Sequence, residues 1–175
     1  MSTPDRTTKK WFAVKTKFKT EKFVVNQLSK KNIEAYVPLI KSTKRYGRKI
    51  KKLEIPLINC YAFVYTSLEN KTKVLETEYV YSFVGQTGRI ESIPQHEIDL
   101  LKRVVGEFEG SLDVNPIDWI PGTEVEIISG SLTGLTGKMV SRSGKSNFII
   151  ELTSLGVQLQ MEIDKKLLRK LPKVA

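Results

Sequence analysis

The sequence predicts an α+β protein: a ferredoxin-like antiparallel sheet with helices, followed by a small all-β barrel. Three observations carry this. Residues 10–106 alternate between strand-like and helix-like apolar spacing, in the order strand–helix–strand–strand–helix–strand–helix. That is the β-α-β-β-α-β plan with one helix added. Residues 120–175 hold about five short strand patterns separated by the turns "SGSLTG", "SGKSN" and "SLG", the texture of a small barrel. Residues 107–119, with acids, Gly110 and Pro116 but no period, predict a linker, the boundary falling near residue 115.

The elements follow in order. Residues 1–9 are polar and patternless, which predicts a disordered tail. "WFAVKTK" reads as a first strand. Thr20 is placed to cap a helix with Glu21 in its first turn, and Asn32 to end it. "IEAYVPLI" predicts a second strand, with Pro38 marking an edge or bulge. "KSTKRYGRKIKK" predicts a basic hairpin tip around Gly47, and "PLINCYAFVYT" a third strand. A short helix over "SLENKTKVLET" and a fourth strand over "YVYSFVG" come next. Ser92 and Gln95 resemble a capping box, with Pro94 in the first turn of a helix that Gly106 stops. "EVEII", "LTGKMVSR", "NFIIELT", "VQLQMEI" and "LLRKL" supply the barrel strands.

Charge is unevenly spread. The net charge is +10, made of +12 over residues 1–55, −5 over 56–120 and +3 over 121–175. A basic first third beside an acidic middle gives one side suited to a polyanion. No run of 18 apolar residues exists and the start lacks a signal-peptide core, so the expectation is a cytoplasmic protein without membrane association. Cys60, the single cysteine, reads as a small buried thiol.

Catalysis is not expected. His96, the single histidine, falls on the polar side of a helix, and there is no Cys/His cluster for a metal. "GSLTGLTGK" fails as a phosphate loop: Leu132 stands where the first glycine belongs, and Met139 where Ser/Thr is required. Gly130, Gly134 and Gly137 read instead as turn residues supplying positive φ or close approach. No cofactor and no metal are predicted.

Two features point to binding. Lys41, Lys44, Arg45, Arg48, Lys49, Lys51 and Lys52 crowd twelve residues around Tyr46, a density suited to a nucleic-acid backbone, with Tyr46 placed to stack. Tyr61, Phe63 and Tyr65 fall on alternate residues, so they share one face of a strand. That face reads as buried core, as a base-stacking platform, or as a groove for another protein. Tyr61, Ala62, Phe63 and Val64 match four positions of the aromatic strand of an RNA-recognition motif. An RNA-binding protein with such a domain plus a barrel is therefore the alternative reading.

Several stretches in the right order resemble the NusG-type family. "KKWFAVKTK" is similar to its W-[YF]-x-V opening. "PLINCYAFV" sits where the family has P-L-F-P-G-Y-V-F-V, with Asn59 and Cys60 replacing Pro-Gly. "YSFVG" with "SIPQHEIDLL" resembles its F-V-G…P-x-x-x-x-E-[IV] segment, and "PGTEVEIISGSLTGLTGKMV" its KOW motif. The divergence looks more like the specialised RfaH, LoaP and UpxY branches than the housekeeping factor. The resemblance implies an NGN-type domain over 10–106 and an SH3-like KOW barrel over 120–175. It implies a transcription elongation and antitermination factor, monomeric, that suppresses pausing or termination. The amino-terminal domain would hold the clamp helices of the largest RNA polymerase subunit in a hydrophobic groove; Leu57, Ile58, Tyr61, Phe63 and Phe83 are the positions carried over. Lys17, Lys22 and the 41–52 cations would face upstream or non-template DNA. Asn70, Lys71, Thr72 and Lys73 would reach a second polymerase surface, and the barrel would recruit a ribosomal protein or a termination factor.

Overall fold

Among the described residues, 5–118, 121–142 and 144–173 of a computed structural model, the chain forms two large antiparallel sheets, two two-stranded ribbons and three α-helices. The chain divides into two compact units, residues 1–99 and 100–175. Of the predicted tail, residues 1–4 lie outside the described residues. Asp5 accepts hydrogen bonds from the Thr7 amide at 3.0 Å and from the Thr7 and Thr8 hydroxyls. These bonds, that from the Thr8 side chain foremost, hold its carboxyl below the usual carboxylate range.

The first unit runs β1 (Lys10–Thr16), α1 (Glu21–Lys30), β2 (Glu34–Tyr36), β3 (Leu39–Tyr46), β4 (Lys49–Pro56), β5 (Tyr61–Thr66), α2 (Lys71–Leu75), β6 (Val80–Phe83), β7 (Gly85–Gln86), β8 (Arg89–Ile90) and β9 (Ser92–Ile93). The sheet order is β2-β5-β1-β6, with β9 on β1; β3 and β4 pair only with each other. Helix α3 (Gln95–Glu107) crosses the division between the units.

One face of the sheet packs Phe12 and Val14 of β1 and Ala62 and Val64 of β5 against Val24 and Leu28 of α1 and Val74 of α2. Helix α1 ends because Asn32 takes φ +58, where asparagine costs less than most residues. The Asn32 amide donates to the Ser29 carbonyl and the Ile33 amide to the Leu28 carbonyl, both at 3.0 Å. That pair defines a Schellman motif, and the apolar Ile33 and Leu28 both join the core.

Several local expectations change. Thr20 does not cap α1 through its side chain; its hydroxyl donates to the Lys17 carbonyl at 2.7 Å. Ser92 lies in β9 opposite Phe12, so no capping box forms. Pro38 splits the second predicted strand into β2 and β3, the predicted basic loop is paired strand in β3 and β4 on either side of its tip, and a turn at 57–60 delays the third predicted strand to Tyr61, the start of β5.

The second unit joins β10 (Leu112–Pro116), β11 (Thr123–Ile127), β12 (Thr136–Arg142), β13 (Lys145–Leu152), β14 (Val157–Glu162) and β15 (Leu168–Lys170) in the order β10-β14-β13-β12-β11-β15. The predicted linker is thus partly strand: residues 112–116 pair antiparallel with 157–161. Its acids and Pro116 hid a weak alternation, in which Leu112 and Val114 are the partly buried positions. Trp119 and Ile120, at the predicted junction, lie outside the described residues. Gly130 and Gly134 hold φ +92 and +88 in the turn before β12. At Gly137 a Cβ would sit 2.4 Å from the Ile149 carbonyl oxygen, so only glycine lets β12 and β13 pair there.

Candidate functional site

The face of the first sheet opposite the α1–α2 core gathers rings from three strands. Opposed residues in an antiparallel pair share a face. The pairings Trp11–Tyr65, Ala13–Phe63 and Lys15–Tyr61 join β1 to β5, and Tyr36–Phe63 joins β2 to β5. Trp11 and Tyr65 stand 5.3 Å apart between ring centroids, Tyr36 and Phe63 6.3 Å. The Trp11 indole N–H donates to Gln95 Oε1 at 2.9 Å, tying the first turn of α3 to this face. Burial pushes the Tyr36 phenol up to about 12.

The five predicted groove residues separate. Tyr61 is partly exposed. Leu57 and Ile58, in the 57–60 turn, are 8% exposed, and Phe63 has no exposed surface at all. Phe63 is therefore a correction: it floors the face and does not line an open groove. It sits on β5 between β1 and β2, where small Ala13 leaves it room and the Tyr36 ring flanks it.

Phe83 is a second correction. It pairs with Val14, packs edge-on against Phe12 at 5.9 Å and joins the helix-covered core. The cause is a bulge. Thr16 pairs with Val80 and Lys15 with Ser82, leaving Tyr81 as the extra residue. One inserted residue flips the alternation, so Val80 and Phe83 share the core face and Tyr81 is turned out to solvent.

The turn before Tyr61 is held from a place that sequence reasoning missed. Glu21 is 1% exposed, and its Oε1 accepts the Cys60 amide at 2.7 Å; the Cys60 carbonyl accepts the Thr16 amide at 2.9 Å. Cys60 itself takes φ +64. It occupies the position of the glycine in the family pattern, and it is partly exposed where a buried thiol was expected. A side chain in the left-handed region costs roughly 1–2 kcal/mol. Glycine also loses some unfolded-state entropy, so Cys60→Gly is expected to stabilise the protein by about 0.5–1 kcal/mol in urea unfolding; no gain would show that the turn relaxes.

The predicted nucleic-acid residues lie on two elements. Lys17 and Lys22 are exposed where β1 leads into α1; Lys17 Nζ lies 5.2 Å over the Tyr79 ring, and Phe23 lies 5.4 Å from the same ring. Tyr79 holds φ +68, uncommon for a bulky residue, and Glu78 keeps its phenol above the ordinary value through a hydrogen bond. The other cations occupy the β3–β4 hairpin. Gly47 and Arg48 form its two-residue turn, with Gly47 at φ +58, the pattern of a type II′ turn. Lys71, Thr72 and Lys73 are exposed on α2, on the helix side of the sheet; Asn70 precedes them, its amide 3.4 Å from Ser67 Oγ. Among the described residues no group of His, Cys, Asp and Glu is arranged to hold a metal, and no helix is long and apolar enough to cross a membrane.

Residues 9–102 match the family model described as "Transcription termination factor nusG". That span covers more than half of the chain, including the ring-bearing face and the basic hairpin, so the chain belongs to the NusG family of transcription factors. A solved structure described as domain interaction in Thermotoga maritima NusG has 20% sequence identity and a TM-score of 0.58, covering 94% of this chain and 98% of that one; the likeness is one of fold. The MjSpt4:Spt5 complex, conformation A, has 16% identity and a TM-score of 0.33, over 94% and 99% of the two chains. No curated protein gives a match.

Proposed function

We propose that this chain is a specialised transcription elongation and antitermination factor that binds RNA polymerase through the ring-bearing face of its first unit. The observation that carries this is the family match over 9–102, which spans every strand of that face. The occupant is the clamp-helix pair of the largest subunit, and the contact rings are Tyr61, Tyr65 and Tyr36 above a floor of Phe63. Partly exposed tyrosines suit that task, burying much area at low entropy cost while keeping a polar end. Holding the clamp restrains its opening, which suppresses pausing and termination.

The sheet order β2-β5-β1-β6 agrees with an NGN-type ferredoxin-like domain. The six-stranded sheet with its glycine turn agrees with a KOW barrel that recruits a ribosomal protein or a termination factor. The α2 segment from Asn70 to Lys73 provides the second polymerase contact, and Lys17, Lys22 and the hairpin face DNA. The family points to a monomer acting in the cytoplasm. Base stacking on β5 is disfavoured, because its central ring has no exposed surface.

Co-purification of RNA polymerase with the tagged chain tests the reading. Tyr61→Ala with Tyr65→Ala is expected to cut captured polymerase at least tenfold while the circular dichroism spectrum stays that of the folded protein. Capture at the wild-type level would sink the assignment of this face.

A further inference from the structure

The β3–β4 hairpin carries more information than its charge. Each strand has eight residues and neither pairs with any other strand. From Thr43 through Lys52 every residue is exposed, so both broad faces of the ribbon meet solvent. A two-stranded ribbon without a packed face is marginal on its own.

The cations are divided between those faces. The register opposes Lys44 to Lys51 and Tyr46 to Lys49 on one side, and Thr43 to Lys52 and Arg45 to Ile50 on the other, with Arg48 at the tip. Glu54, opposite Lys41, is the single carboxylate of the ribbon. Among the described residues none of the seven cations forms an ion pair. Like charges directly opposed across a ladder destabilise it. The Lys44–Lys51 pair therefore works against the free hairpin unless an anion lies beside it.

We infer that the β3–β4 ribbon is a duplex-DNA arm that enters the major groove edge-on, with its two cationic faces against the two phosphate walls. This rests on the assignment of the hairpin to nucleic acid above and commits it to one form. A single strand offers one backbone and asks for a row of rings; the distal ribbon has one ring, Tyr46. A flat anionic surface would meet one face and leave the other uncompensated. A groove offers two phosphate walls at once. The B-form major groove, ~12 Å wide, admits a two-stranded ribbon, and eight residues per strand reach ~26 Å. The A-form major groove of RNA is too deep and narrow for such entry. Ile50, 63% exposed beside the tip, gives an apolar contact of the kind that meets a thymine methyl.

The test uses the full chain and fluorescence anisotropy over a salt series. The probes are a duplex DNA of about 20 base pairs, one of its strands alone, and an RNA duplex of the same sequence. The DNA duplex is expected to bind at least tenfold tighter than the other two. Lys44→Gln with Lys51→Gln is expected to reduce the slope of log affinity against log salt by about 1.8, the value for two lost phosphate contacts. Its melting temperature should equal or exceed that of the wild type, because a repulsion has been removed. Equal or tighter binding of the single strand or the RNA duplex, or an unchanged slope in the double variant, overturns the inference. Polymerase capture is measured on the same wild-type preparation. A chain that captures polymerase but binds no duplex removes the arm and leaves the proposed function standing. One that binds the duplex but captures no polymerase does the reverse.

Discussion

Phe63→Ala is expected to destabilise the protein by about 3–5 kcal/mol, read as a lower urea midpoint. Phe63 is one of the largest side chains with no exposed surface, and truncation would leave a cavity between Ala13 and Tyr36, its neighbours across β1 and β2. The loss is a large fraction of a domain's whole stability, about 5–15 kcal/mol, and reaches its lower end. Polymerase capture would fall as well, but through the folded fraction: it should recover on cooling or in a stabilising osmolyte. Tyr61→Ala removes a partly exposed ring and should cost far less stability, so its effect on capture reports contact. If Phe63→Ala melted with the wild type, the ring would be open and would belong to the contact surface after all.

That contrast marks where the sequence stops being informative. Period-2 spacing placed Tyr61, Phe63 and Tyr65 on one face, and their register with β1 and β2 agrees. Spacing cannot say which of three equivalent rings is sealed, because that depends on Ala13 and Tyr36, which are remote in sequence. Phe83 shows a different limit. Counting by twos along "YVYSFVG" puts Tyr81 and Phe83 together, and the bulge at Tyr81 parts them. Asn32 as a helix stop and the strand patterns beyond residue 122 needed only local signals, and those elements are where the sequence reading puts them. β10 was hidden because Asp113, Asn115 and Pro116 all disfavour strand taken alone; its pairing with β14 supplies what propensity does not.

Glu21 was the least legible residue, since a carboxylate in the first turn of a helix ordinarily serves the helix dipole from solvent. Here it is buried and spends an oxygen on the Cys60 amide at 2.7 Å. A hydrogen bond to a charged group contributes about 1.5–3 kcal/mol, and its loss leaves the Cys60 N–H in need of another partner. Glu21→Ala is therefore expected to lower stability by about 2–3 kcal/mol in urea unfolding, and Glu21→Gln, which keeps an acceptor without the charge, by roughly half as much. The two residues should be coupled. Cys60 holds a left-handed conformation against a steric cost, and the Glu21 and Thr16 bonds grip it from both sides. With glycine at position 60 the turn keeps its shape without that grip, so Glu21→Ala should cost less in the Cys60→Gly background, by about 1 kcal/mol in a double-mutant cycle. Because the turn also carries Leu57 and Ile58 and feeds directly into Tyr61, Glu21→Ala should weaken polymerase capture without removing any contact group. Capture restored by Cys60→Gly would identify the effect as one of positioning, whereas additive stabilities with unrestored capture would mean that Glu21 acts elsewhere.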